Sequence, residues 1–310
     1  MKIFKRIVLS VVVFVTLLLS GGYFYFDKKF TPPENSLTVS GVAQNIAIRW
    51  DSTTGNAHAA VLLPVRLKGM YRTFYMQLDS GSPTTLFYKK SLESILKKFQ
   101  YPIKFIAGQN NISLQFTAGN MTIASEGFEL LDYGNTLDDT GENLIIGTIG
   151  TDLLEKRIAV LDFKNGACSF LVSMDKKGFE NFEFKKRKIL IPAVIEGQKL
   201  KLLYDSGTSG YELITNKEEW QKYRRKGGRI KKEKGNSWGN ILTVISAPAD
   251  KMIRIGNSAL KLSEVTHIEG TSKMQNLLMK TSGMQGMIGN KLFLNHALIL
   301  DCKNRKFKLK

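Results

Sequence analysis

The stretch YMQLDSGSPTTLFY, residues 75–88, begins as an alternating, strand-like run and breaks at Asp79-Ser80-Gly81. Taken alone, the tripeptide is turn chemistry: Asp and Ser side chains bond nearby backbone, and Gly supplies positive φ. A carboxylate at the buried end of a strand needs a further reason, and the rest of the chain supplies one.

The surrounding pattern occurs twice. LLPVRLKGMYRTFYMQLDSGS (residues 62–82) and LIPAVIEGQKLKLLYDSGT (residues 190–208) share an apolar pair, Pro, a short strand, a Gly turn, a second strand and Asp-Ser-Gly followed by a hydroxyl residue. Pro64 corresponds to Pro192 and Gly69 to Gly197, each 128 positions on, and Asp79 corresponds to Asp205, 126 positions on. Downstream, GTIGTDLLEKRIAVLDFKN (147–165) aligns without gaps to GMIGNKLFLNHALILDCKN (286–304), with 8 identities in 19 at a spacing of 139. Gly119-Asn120 and Gly256-Asn257 fit as equivalent turns between these blocks. Offsets confined to 126–139 are what two homologous lobes with a few loop insertions produce. Each lobe is expected to contain a hairpin, Asp-Ser-Gly, further strands, an apolar-apolar-Gly motif, a short helix and a closing strand pair. Apolar residues grouped in short runs, frequent Gly and sparse Pro agree with a mainly β protein. One helix is expected over residues 91–100, with Ser91 as its cap.

The arrangement resembles the aspartic proteases, the two-lobed pepsin-like enzymes and, within each lobe, the retropepsin-like half. The resemblance is carried by Asp79-Ser80-Gly81-Ser82 and Asp205-Ser206-Gly207-Thr208, and by Thr148-Ile149-Gly150 and Met287-Ile288-Gly289 downstream; it spans roughly residues 60–310. It implies a two-lobed pepsin-like acid protease fold and an aspartic endopeptidase in which Asp79 and Asp205 activate water. Two carboxylates within hydrogen-bond reach share one proton because each opposes the second ionisation, so one serves as acid and the other as base. The resemblance further implies that Ser80 and Ser206 cross-brace the two loops, that Ser82 and Thr208 bond the outer carboxylate oxygens, and that Gly81 and Gly207 allow close approach. Ile149-Gly150 and Ile288-Gly289 are expected to pack around each active loop. It implies no cofactor and no metal. The family's flap tyrosine has no clear counterpart: Tyr101 and Tyr133 stand outside a flap context, and the expected hairpin tip, near residues 108–111, contains no aromatic. The alternative is therefore a tethered peptide-binding or scaffold module that keeps the fold without cleaving.

The chain has 310 residues with 43% hydrophobic side chains, ample for a packed core. Residues 7–26, IVLSVVVFVTLLLSGGYFYF, follow Lys2, Lys5 and Arg6 without a charge and are long enough for one membrane span. The basic flank predicts a cytoplasmic amino terminus and an extracytoplasmic, periplasmic or extracellular, remainder. A cleaved signal peptide is the rival reading, against which stand the apolar continuation to Phe26 and the absence of a clear small-x-small cleavage site. The expected organisation is tip and transmembrane anchor over 1–26, stalk over 27–50, first lobe over 51–175 and second lobe over 176–310. The formal charge of +18 gathers in KKRK (185–188) and KYRRKGGRIKKEK (222–234). Without interleaved aromatics or a nucleic-acid motif these runs are expected to be solvated faces near an anionic membrane surface, not a nucleic-acid site. The expected partners are a peptide or protein substrate and the membrane, with the protein itself a monomer. Cys168 and Cys302 read as small buried hydrophobes, with a bridge left open. His58, His267 and His296 are scattered and read as structural or exposed.

Overall fold

The computed structural model describes residues 28, 31–53, 56–102, 105, 110–140, 143–237, 240–270 and 283–310. Residues up to Asn35 form one unit and Ser36–Lys310 another, and the second holds all of the described strands. The apolar segment 7–26 lies outside the described residues, among which no helix is long and apolar enough to cross a membrane.

The first half contributes β1 (Thr38–Ser40), β2 (Ala43–Ala47), β3 (Arg49–Thr53), β4 (Asn56–Leu67), β5 (Phe74–Leu78), β6 (Leu86–Tyr88), β7 (Asn111–Ala118), β8 (Met121–Leu131), β9 (Ile145–Ile149), β10 (Ile158–Asp162) and β11 (Ala167–Leu171). The second contributes β12 (Glu180–Asn181), β13 (Glu183–Lys185), β14 (Lys188–Ile195), β15 (Gln198–Tyr204), β16 (Leu213–Thr215), β17 (Lys231–Ser237), β18 (Asn240–Ile255), β19 (Ser258–Glu269), β20 (Gly286–Ile288), β21 (Ala297–Asp301) and β22 (Lys306–Leu309).

The duplication is visible in the sheet order. One sheet runs β8-β6-β9-β5-β4, the other β19-β16-β20-β15-β14, and β7 and β18 each pair with both ends of their own series. In each, the strand after the hairpin lies parallel to the apolar-apolar-Gly strand, β5 with β9 and β15 with β20. The hairpin glycines Gly69 and Gly197 have φ near +80°, and Gly119 and Gly256 are also left-handed, a conformation open to Gly without a Cβ penalty.

A six-stranded sheet, β12-β22-β21-β10-β11-β2, joins the halves through their closing strands. In it Val160 pairs with Ile299, its own equivalent at the spacing of 139, so the local two-fold relation passes between these residues. Strand alternation sets the core: β5 buries Phe74, Met76 and Leu78, and β7 buries Ile112, Leu114, Phe116 and Ala118 on one face. Phe87 packs edge-on against Phe116 and Phe128, with ring centroids 5.7 and 5.1 Å away.

Three expectations change. Residues 38–50 are not stalk: β1, β2 and β3 pair with β8, β11 and β4, and Ala43 and Ile46 are buried. Ala43 and Ile46, three apart and the buried pair of AQNIA, give no alternation that marks a strand. The helix runs Lys89–Phe99, with Tyr88 at its N-cap and no side-chain cap. Ser91 lies inside it and donates to the carbonyls of Asn135 and Ile145. The KKRK run is not wholly a solvated face, because Arg187 is only 6% exposed. Cys168 and Cys302 are free and buried.

Candidate active site

Asp79 follows β5 and Asp205 follows β15, so equivalent strands deliver both carboxylates to the boundary between the halves. Each carboxylate folds back on its own turn: Gly81 N–H donates to Asp79 Oδ1 and Gly207 N–H to Asp205 Oδ1, both at 2.8 Å. Each also lies against the other turn. A Cβ on Gly81 would stand 2.6 Å from Asp205 Oδ1, and one on Gly207 would stand 2.5 Å from Asp79 Oδ1. Glycine at these two positions is therefore a requirement of space. The two carboxylates thus sit close to one another, each against the turn that carries its counterpart.

Four hydrogen bonds brace the turns. Ser80 N–H donates to Ser206 Oγ at 2.8 Å, and Ser206 N–H donates to Ser80 Oγ at 2.9 Å. Each hydroxyl passes its own proton on, Ser80 to the Tyr204 carbonyl and Ser206 to the Leu78 carbonyl. The apolar-Gly strands close behind: Asp79 N–H donates to Ile149 O and Asp205 N–H to Ile288 O, both at 3.0 Å. Gly150 lies so near Thr84 that a Cβ would meet its carbonyl carbon at 2.4 Å, and Gly289 is as tightly placed against Thr208 O, at 2.1 Å.

The residues after each glycine differ from expectation. The Ser82 hydroxyl donates to Thr84 O and the Thr208 hydroxyl to Asp205 O, so neither bonds a carboxylate oxygen. The tight Ser206–Thr208 turn puts a side-chain hydroxyl beside the carbonyl three residues back, a nearer acceptor than the carboxylate. In the first half it is the Ser82 N–H that reaches Asp79 Oδ1, at 3.3 Å.

The electrostatics follow from packing. Burial raises Asp79, and burial followed by the Asp79 charge pushes Asp205 up to about 7. The pair therefore retains a proton well above the ordinary carboxylate range.

Sequence reasoning did not find several residues that hold the loops. Asp152 is buried and accepts both the N–H and the hydroxyl of Thr85, each at 2.7 Å. Arg187, from the turn between β13 and β14, crosses to the first half and donates to Pro83 O at 3.3 Å and Glu155 at 3.4 Å. Lys186 and Arg187 both have positive φ, so the turn is bent at some cost to aim this guanidinium. Tyr204 donates to Asn290, which donates to Ser209. A polar residue one or two positions after the apolar-Gly repeat was the available signal for Asn290 and Asp152; Arg187 had none.

Of the tyrosines weighed for a flap, Tyr101 donates to Lys68 O and Tyr133 packs edge-on against Tyr88. Of the expected tip, residues 108 and 109 lie outside the described residues, while Asn111 opens β7 and Ile112 bridges to Phe105. In the second half β17 and β18 pair from Lys231↔Ser246 to Ser237↔Asn240. Of the histidines, His58 packs edge-on against Trp50 and His267 against Trp220.

No family model matches the chain, and no curated protein matches it. Among solved structures it is similar to the crystal structure of aspartic proteinase from Irpex lacteus, with a TM-score of 0.50 and 11% identity over 87% of this chain and 97% of that one. The fold is thus pepsin-like, mainly β and two-lobed.

Proposed function

We propose that this chain is an aspartic endopeptidase whose Asp79 and Asp205 activate a water for peptide-bond hydrolysis. The observation that carries the reading is the reciprocal placement of two carboxylates, each seated against the glycine of the other's turn. The ionised carboxylate takes a proton from water as oxygen attacks the scissile carbonyl carbon, and the protonated one gives its proton to the carbonyl oxygen. Collapse of the tetrahedral adduct breaks the C–N bond, with a proton passing to the departing nitrogen, and leaves the pair again holding one proton. Ser80 and Ser206 fix the separation of the two turns, and Ile149-Gly150 and Ile288-Gly289 hold them from behind.

The apolar segment 7–26 is proposed to anchor the enzyme in a membrane, with the catalytic unit on the extracytoplasmic side. The full-length chain, purified in detergent, is expected to cleave a denatured protein at acidic to neutral pH and to be inhibited by a pepstatin-type transition-state mimic. Binding of the peptide without any cleavage would favour the scaffold reading instead.

A further inference from the structure

A cleft of about 220 Å³ opens against the loop that follows Asp205, lined by Gly210 and Tyr211. Asn56 and His58 of β4 line it from the first half, so it lies at the boundary between the halves, as the carboxylates do. Two successive turns, Thr208 N–H to Asp205 O and Tyr211 N–H to Thr208 O, keep the loop compact. Each turn spans less than about 7 Å, which puts Tyr211 within about 14 Å of Asp205. An extended peptide advances roughly 3.4 Å per residue, so the cleft is in reach of a side chain within about four residues of the scissile bond.

The duplication shows that this cleft is particular to one half. The loop after Asp205 is two residues longer than the one after Asp79, since Leu86 and Ile214 hold equivalent ladder positions 128 apart against 126 for the aspartates. The equivalent of Lys291, at the spacing of 139, is Asp152, which accepts from Thr85 in the first half. In the second, Lys291 turns to Glu264 at 3.0 Å, and Tyr211 lines the cleft beside it. A second ion pair in the lining, Lys231–Glu233 at 2.6 Å, comes from β17.

Two ammonium and two carboxylate groups balance, and this selects the occupant. An apolar side chain would strip water from four charges and return no hydrogen bond. A charged one would leave an uncompensated charge among partly dehydrated groups. A carboxamide accepts from a lysine and donates to a glutamate at the same time. Resting on the protease reading above, we infer that this cleft is a substrate subsite for an Asn or Gln side chain, and that it rejects large apolar residues.

The test uses the full-length chain and a set of peptides varied one position at a time within four residues of the cleaved bond. At one position Gln is expected to exceed Leu by at least tenfold in kcat/KM. The double variant Lys291→Leu with Glu264→Leu is expected to reverse that order. Should that variant not fold, Lys231→Leu with Glu233→Leu on β17 serves the same purpose. Cleavage whose side-chain preference is unchanged in a folded variant overturns the subsite. If the wild type cleaves nothing, the hydrolase reading fails by itself. Binding of the same peptides then decides the cleft: tighter Gln than Leu binding, lost in the variant, supports it, and equal binding overturns it.

Discussion

Ser80 and Ser206 each accept the other's backbone N–H, at 2.9 and 2.8 Å, and each returns its hydroxyl proton to the strand that carries the opposite aspartate. This reciprocal pair makes one unit of two turns that lie 126 residues apart in sequence. Replacing either serine with Ala leaves a buried N–H unpaired at about 1–3 kcal/mol. Because the residues share one network, Ser80→Ala with Ser206→Ala is expected to cost less than the sum of the single changes. Denaturant unfolding of the four proteins measures this coupling, and strict additivity would contradict it.

The raised Asp205 pKa predicts a pH dependence of stability. Between the ordinary carboxylate value of 3.8 and about 7, the folded protein keeps a proton that the unfolded chain has lost. The folded state binds more protons there, so stability falls as pH rises through that window and levels off above it. Asp205→Asn removes the titrating group. It is expected to be more stable than wild type at pH 7 by a few kcal/mol, with the difference shrinking toward pH 4. Thermal melts across this range check it, and parallel curves would show that Asp205 titrates normally.

Much of this arrangement was legible because it is written twice. Asp79 and Asp205, the turn glycines and the apolar-Gly strands recur at nearly constant spacing, and repetition turned two ordinary turns into a site. Features that one half supplies to the other were not legible. Arg187 stands in KKRK, which looks like solvated surface, and only the bend at Lys186 and Arg187 sends the guanidinium inward. β1 to β3 were hidden for a similar reason, since their partners β8, β11 and β4 are distant in sequence or follow a polar stretch.

Arg187 is expected to act on the reaction by positioning the first loop through Pro83. Arg187→Ala should lower kcat about tenfold with little change in KM, because the loop loses a support that no substrate contact replaces. Lys, with a single-point donor in place of a planar fork, should restore activity only in part. Full kcat in the Ala variant would show that the contact is idle.

Gly150 has extended backbone angles that any residue adopts, with φ −91° and ψ −177°, so its requirement is one of space. A methyl there meets Thr84 backbone at 2.4 Å, and Thr84 has no flexible end to move. Gly150→Ala is expected to destabilise the fold by about 1–3 kcal/mol and to displace the Asp79 loop, lowering activity more than stability alone explains. Gly166→Ala has open space around its Cβ and is the contrast for strain without crowding, since its φ is +63°. Measured melts and activities for both variants separate the two effects.

The central claim is that Asp79 and Asp205 act together. Its most direct test is the cleavage rate of the full-length chain beside Asp79→Asn and Asp205→Asn, each shown to be folded, on one peptide substrate across acidic to neutral pH. Loss of at least about a thousandfold in kcat/KM in each single variant is the predicted result, with no further loss in the double variant, as for groups that act as one unit. Cleavage that persists in both single variants would contradict the claim.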